Sequence, residues 1–236
     1  MLDREMSRRV DEIAVNELGV PSLILMENAG RSCAECLLNW PLADKHREPS
    51  VLVLCGPGNN GGDGFVIARH LTLANCRVRV MLFQEIAKYT GDARVNLEVL
   101  LQLGTEIEPF DPEWSEAETI QKFSEFGTQS TNWVVDALLG TGARGVLRPP
   151  IAKAISAANH LAVNKLAVDI PTGLDCDSGE ASEPTFRADV TCTMVDEKMG
   201  FENAIAHQFT GTIVVVGIGV PVDLASLKQI DTETVD

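Results

Sequence analysis

No apolar run in this chain approaches the roughly 18 uncharged residues that a membrane-spanning helix needs, so nothing in it is expected to cross a bilayer. The opening segment, Met1-Leu2-Asp3-Arg4-Glu5-Met6, also lacks a positive stretch followed by an apolar one and a small-residue cleavage site, and a cytoplasmic protein is expected. Clustered basic residues are missing too: the 19 Lys and Arg form no long run, and the net charge is −15. A polyanion must be met by grouped cations, so nucleic-acid binding is not expected, and an anionic ligand would need a local site. The six cysteines are scattered over positions 33, 36, 55, 76, 176 and 192. Cys55, Cys76 and Cys192 lie in or beside apolar runs where a reduced thiol acts as a small hydrophobe, so disulfides are not implied. Cys33-x-x-Cys36 has no second pair or nearby His to complete a zinc site and reads as a buried helix face. His46, His70, His160 and His207 fall in no catalytic-triad or metal-ligand spacing.

What is present is an ordinary globular composition, 45% hydrophobic and 22% charged over 236 residues. That length suits one large domain, expected over residues 1–221 with a tail at 222–236. Apolar positions at helical spacing, interrupted at Leu18-Gly19-Val20-Pro21, predict two N-terminal helices. After the charged linker Asp44 to Pro49, strands are expected at Val51 to Cys55, Arg77 to Phe83, Ile107 to Phe110, Trp133 to Ala137 and Leu166 to Asp169. Helices are expected between them at Gly64 to Ala74, Ala93 to Leu103, Glu116 to Phe126 and Ile151 to Leu161. Two more apolar runs, Val190 to Met194 and Thr212 to Gly217, follow without comparably long helices. Continuous apolar strands separated by crossover helices predict a three-layer, Rossmann-like, doubly wound α/β fold with a mostly parallel sheet.

Three polar loops leave the carboxyl ends of these strands, and ligands of doubly wound sheets bind where the strand order reverses, between the first and fourth strands. The first loop, Cys55-Gly56-Pro57-Gly58-Asn59-Asn60-Gly61-Gly62-Asp63-Gly64, contains a Gly-x-Gly-x-x-Gly run. A carboxylate at the start of the following helix, Asp63, can cap it and would repel a pyrophosphate, so this loop suits a cation or a polar ring better. Glu85 sits near where an ordinary dinucleotide fold places its ribose-binding acid. The second loop, Gly140-Thr141-Gly142-Ala143-Arg144-Gly145-Val146, offers amide groups, a hydroxyl and a guanidinium with no carboxylate, and is the better phosphate cradle. The third, Asp169-Ile170-Pro171-Thr172-Gly173-Leu174-Asp175, puts an acid at a strand end.

Asp136, ending an apolar strand, needs a cation, hydrogen-bond donors or a proton. With Asn60 and Thr172 it would supply oxygen ligands for a hard cation of low charge. Asp169 reads as a general acid or base, because an enclosed carboxyl can have its pKa raised; a turn or cap residue is the alternative. Lys198 could tune a neighbouring acid, steer an anionic substrate or simply be solvated.

The stretches Leu25-Met26-Glu27-Asn28-Ala29-Gly30-Arg31, Gly56 to Gly64, Val135-Asp136-Ala137-Leu138-Leu139-Gly140 and Asp169 to Asp175 together closely resemble the NAD(P)H-hydrate epimerase family. The resemblance runs from about residue 1 to residue 221. It implies that Asn59, Asn60, Gly61, Gly62 and Asp63, with Gly140, Thr141, Gly142, Ala143, Arg144, Gly145 and Val146, hold hydrated NADH or NADPH. It further implies that Asp169 contacts that nucleotide and that Asn60, Asp136 and Thr172 ligate a potassium ion. Thr172 stands where Ser is common, which keeps the hydroxyl, and Asp196-Glu197 before Lys198 is more charged than the usual segment. In the implied reaction the hydroxyl at C6 of the nicotinamide ring leaves and oxygen is added back on the other face, or the ring opens and recloses; either route needs proton transfer. Asp169 would protonate the departing hydroxyl and then activate water, with Lys198 a further catalytic candidate. The dehydratase that is fused to this domain in some members does not fit in a chain of this length, so a separate one is expected downstream. The amphipathic N-terminal helices suggest a homodimer. A non-catalytic binding module of the same fold and an ordinary NAD-dependent dehydrogenase are the competing readings; the Asp63 carboxylate and the lack of a hydride-transfer His or Tyr weigh against the second.

Overall fold

The structure, a computed structural model, describes residues 1–41, 49–126 and 132–221. Most of the expected linker (residues 44–48) and the expected tail (222–236) lie outside the described residues. Seven strands form one sheet: β1 (Ser50–Cys55), β2 (Arg77–Leu82), β3 (Glu106–Pro109), β4 (Trp133–Ala137), β5 (Asn164–Val168), β6 (Val190–Met194) and β7 (Thr212–Val216). Their order is β3-β2-β1-β4-β5-β6-β7, and every neighbouring pair is parallel. The sheet is therefore wholly parallel, and the order reverses between β1 and β4, as the loop chemistry requires.

Helices α2 (Ser22–Asn39), α3 (Asn59–Leu73) and α4 (Gly91–Gln102) cover one face through Cys33, Leu37, Phe65, Leu71 and Leu97. Helices α5 (Glu116–Ser124) and α6 (Pro149–His160) cover the other through Phe123, Ala154, Ile155 and Ala158. Burial on both faces explains why β1 reads as an unbroken apolar run, whereas the equally apolar β7 is an edge strand that stays partly exposed, against the expectation that such a run is covered on both faces. A reciprocal capping box between Ser115 and Glu118 starts α5 where the sequence places it. Parallel β5 and β6 are joined by a long irregular connection without a helix, and a short α7 (His207–Thr210) precedes β7. Among the described residues no helix is long and apolar enough to cross a membrane.

One helix departs from expectation. α3 begins at Asn59, five residues before the predicted Gly64, so Asp63 lies inside the helix and does not cap it. The glycines that lower helix propensity here are required by packing. A Cβ on Gly56 would lie 1.8 Å from the Leu138 carbonyl, and one on Gly61 would lie 1.9 Å from the Gly56 carbonyl. The loop after β1, the first turn of α3 and the loop after β4 are thus in backbone contact.

The first helix, α1 (Arg4–Asn16), stands outside the sheet, capped by Asp3, whose Oδ1 accepts from the Met6 amide at 2.7 Å. Its Val10 and Ala14 pack on Leu25, Ala29, Val195 and Ile218, which lays it across the carboxyl ends of the strands.

Candidate functional site

Between α1 and those strand ends lies a cavity of about 950 Å³, a size suited to a small-molecule ligand. It is lined by Pro57 to Asn60 and Asp63, by Leu138 to Arg144, by Asp169, and by Met194, Val195 and Lys198. The three loops singled out in the sequence therefore meet, and a fourth, after β6, joins them. Gly61, Gly62, Gly145 and Val146 stay off the cavity surface: the two α3 glycines are packed against backbone and Met26, and Val146 points outward, 88% exposed. Glu85 also lies off the cavity, in an exposed pair with Lys88.

Asp169 and Lys198 form the centre. The Lys198 ammonium lies 2.9 Å from Asp169 Oδ1 and donates to the carbonyls of Met194 at 3.0 Å and Asp196 at 3.3 Å. Lys198 is only 1% exposed, which overturns the solvated-lysine alternative. The acidic residues before it are no obstacle, because it is the Asp196 carbonyl, not its carboxylate, that holds the ammonium. Asp169 also accepts from the amides of Met194 (Oδ1) and Thr141 (Oδ2), each at 3.4 Å.

Two rare turns present this pair. Asp169 has φ of 67°, with the Ile170 amide donating to the Val168 carbonyl at 2.8 Å, and Val195 has φ of 68°, with the Asp196 amide donating to the Met194 carbonyl at 2.8 Å. Each is a three-residue γ-turn in the left-handed region, a conformation that costs on the order of 1–3 kcal/mol for a residue with a Cβ. Placed at the ends of adjacent strands, they turn the chain at the positions that aim Asp169 and lead into the loop that carries Lys198.

Asp136 is wholly buried and satisfied by donors: the Thr172 amide and hydroxyl, each at 2.8 Å, and the Leu138 amide at 3.2 Å. Burial pushes its carboxyl up to about 6, with those three hydrogen bonds opposing the rise. Thr172 Oγ1 also accepts from the Leu139 amide at 3.1 Å, and the Asn60 side chain abuts Gly140. Asn60 Nδ2 is buried without a hydrogen-bond partner, so nothing pins its amide orientation. The Asp136 carboxylate and Thr172 hydroxyl are in direct contact, and the Asn60 amide lies at Gly140 on the loop that Thr172 also bonds; this oxygen set, with a single formal charge, suits a hard monovalent cation. Cys33 is buried on α2 and Cys36 packs partly buried against the same core, which is the helix face that the sequence suggests.

The sequence predicts α1 as a helix but gives it no part in the site. Arg4 donates to the carbonyls of Thr141 (2.6 Å) and Ala143 (3.2 Å) and pairs with Asp175 (2.9 Å) and Asp177 (2.6 Å), clamping the loop after β4 to the loop after β5. With its carbonyls held by the guanidinium, this loop points its Thr141 amide inward to Asp169. Burial pushes the Asp175 carboxyl up, but hydrogen bonds from Ser178, Arg4 and Asp177 outweigh it and hold the group at about 2. Asp11, one turn before Ala14, faces the cavity and was invisible as a site residue because a lone acid on an amphipathic helix reads as solvated. Burial, then the Asp169 charge, push its carboxyl up to about 6, with Lys198 opposing. Asp63 is pushed well above the ordinary carboxylate range by burial and by Asp169 and Asp11.

The chain is similar to proteins of one family. Residues 22–200 match the family described as YjeF-related protein N-terminus. The chain is 42% identical over 218 residues to a Rhodopirellula baltica protein named NAD(P)H-hydrate epimerase, covering 92% of this chain and 83% of that one. It is 42% identical over 230 residues to a Pirellula staleyi protein of the same name, covering 97% and 96%. A Salinibacter ruber protein named Bifunctional NAD(P)H-hydrate repair enzyme Nnr is 38% identical, and the match covers 89% of this chain but 39% of that longer one. The crystal structure of the yeast protein ynu0 superimposes with a TM-score of 0.79 at 25% identity, covering 96% of this chain and 92% of that one.

Proposed function

The chain belongs to the NAD(P)H-hydrate epimerase family, and from that premise we propose that it interconverts the R and S epimers of hydrated NADH and NADPH, acting as an isomerase in nucleotide repair. The observation that carries the reading is the Asp169–Lys198 pair, set 2.9 Å apart on the wall of a nucleotide-sized cavity at the reversal of strand order. A carboxylate fixed by an ammonium and two amides is a positioned proton-transfer group, and inversion at C6 requires proton transfer whether the oxygen leaves and returns or the ring opens. The loop from Gly140 to Arg144, anchored by Arg4, supplies amides and a guanidinium for the phosphates. The exposed apolar residues Val15, Leu18, Leu23 and Ile24 are where we place the contact of a homodimer. A dehydratase activity acting on the S epimer, of the kind the names of the bifunctional relatives imply, would complete the repair.

The experiment is direct. Purified protein given the isolated R epimer of hydrated NADPH in potassium buffer should generate the S epimer well above the spontaneous rate, followed by chromatography. Nucleotide binding without acceleration would reassign the chain as a binding module of the same fold.

We assign Asn60, Asp136 and Thr172 as the residues that would hold potassium. Bound there, the ion would supply positive charge beside the nucleotide and offset the buried Asp136 carboxylate. The Asp136 carboxyl sits at about 6 against an ordinary 3.8, so its ionisation costs stability as pH rises from about 4 to 6. Above that range a cation recovers the loss; below it the proton occupies the site. Potassium should therefore raise Tm at pH 8 relative to choline at equal ionic strength, with the gain fading as pH falls through about 6 and absent from Asp136→Asn. An equal gain at pH 5 and pH 8 would count against these ligands.

A further inference from the structure

The epimerase reading leaves one geometric demand unmet. By the route of leaving and re-addition, oxygen leaves C6 on one face of the ring and returns on the other, yet Asp169 is fixed by Lys198, the Met194 and Thr141 amides and a γ-turn. A carboxylate so constrained serves one face of a bound ring. We propose that Asp11, entering the same cavity from α1, is the second catalytic residue and exchanges the proton on the other face, so that the ring lies between the two carboxyl groups. The inference rests on the epimerase reading and deepens it.

Geometry supports the assignment. Asp11 and Asp169 line one cavity from different walls, α1 for the first and the end of β5 for the second. α1 is held across the strand ends by the Arg4 clamp, by Val10 and Ala14, and by a backbone bridge between Leu2 and Lys198, so Asp11 is carried on a fixed element. Other ionic groups of α1 are engaged: Asp3 caps the helix, Arg8 pairs with Glu12, and Arg9 pairs with Glu12 and Glu17. Asp11 makes no hydrogen bond or ion pair with the described residues, which leaves both oxygens available to a ligand. The charged groups facing the same cavity are Arg4, Glu5 and Arg8 on α1, Asp63 on α3, Asp92 on α4, Arg144 after β4, and Asp169 and Lys198 after β5 and β6. Against that set its carboxyl is pushed up to about 6, where it can both give and take a proton near neutrality.

The step balances. One carboxylic acid gives its proton to the C6 hydroxyl, the C6–O bond breaks with its electrons on the departing water, and the ring nitrogen lone pair forms a C=N bond to C6. A water on the opposite face adds to C6, its proton passes to the other carboxylate, and the C=N electrons return to nitrogen. One water leaves and one is taken up, one acid is consumed and one is made, and the reverse reaction starts from the swapped state.

The test compares wild type, Asp11→Asn and Asp11→Glu in the epimer assay, with nucleotide binding measured by titration. Asp11→Asn should lower kcat about 100-fold, leave binding within a few-fold, and remove the limb of the kcat/KM profile near pH 6, while Asp11→Glu restores part of the rate. Turnover within a few-fold of wild type with the limb intact, or a rise in KM alone, overturns the second-face role and leaves the epimerase reading standing. A wild-type protein that gives no acceleration overturns both.

Discussion

Asp169→Asn is expected to bind hydrated nucleotide with nearly unchanged affinity and to turn it over about 10²- to 10⁴-fold more slowly, the range for removal of a positioned acid or base. Asparagine is the informative replacement because Asp169 sits at φ of 67°. Asn tolerates the left-handed region better than other residues with a Cβ, so the γ-turn survives. Its amide oxygen can still accept from Lys198, whose Nζ is 2.9 Å from Oδ1. What is lost is the ability to carry a proton. Alanine would confound that loss with backbone strain and an unpaired ammonium. The measurement is single-turnover conversion of the R epimer alongside nucleotide titration, and wild-type turnover by the Asn variant would remove Asp169 from the chemistry.

Lys198→Met is expected to damage both folding and activity. The ammonium is buried and meets one carboxylate and two carbonyls. Deleting it leaves Asp169 without its counter-ion, strands the Asp196 carbonyl and removes one of the two donors to the Met194 carbonyl. Breaking a buried pair from one side costs about 3–5 kcal/mol, on the order of 10 °C in Tm for a chain of this size. If the loss comes from an uncompensated Asp169, the double variant Asp169→Asn/Lys198→Met will recover part of the Tm, which a double-mutant cycle reads directly. Additive losses would place the role of Lys198 in the two carbonyls alone.

The fold and much of the site could be read before any coordinates. β1 is an unbroken apolar run and β4 is apolar up to Asp136 because both faces are covered, and the glycine loops that follow them lie at the strand ends. The start of α3 was hidden, since Asn59 to Gly62 has poor helix propensity and is helical only because Gly56 and Gly61 let backbones meet. Lys198 was legible as a candidate, but its partner was not: its spacing from Asp169 in the chain says nothing about the pairing, which parallel neighbours β5 and β6 create by ending side by side. Asp11 and Arg4 carry no local signal at all, because an amphipathic helix leaves open which of its polar residues face a cavity and which face water.

By itself, the sequence determined the alternation of strands and helices, the reversal of order between β1 and β4, and the presence of an acid and three polar loops at the strand ends. These follow from short-range physics: hydrophobic period, glycine conformational freedom and the right-handed crossover. Only the tertiary structure decided that α1 closes the site, that Lys198 is buried against Asp169, and that Asp136 is satisfied by Thr172. Each of these joins residues far apart in the chain whose meeting depends on how layers pack, and packing is set by the whole core at once.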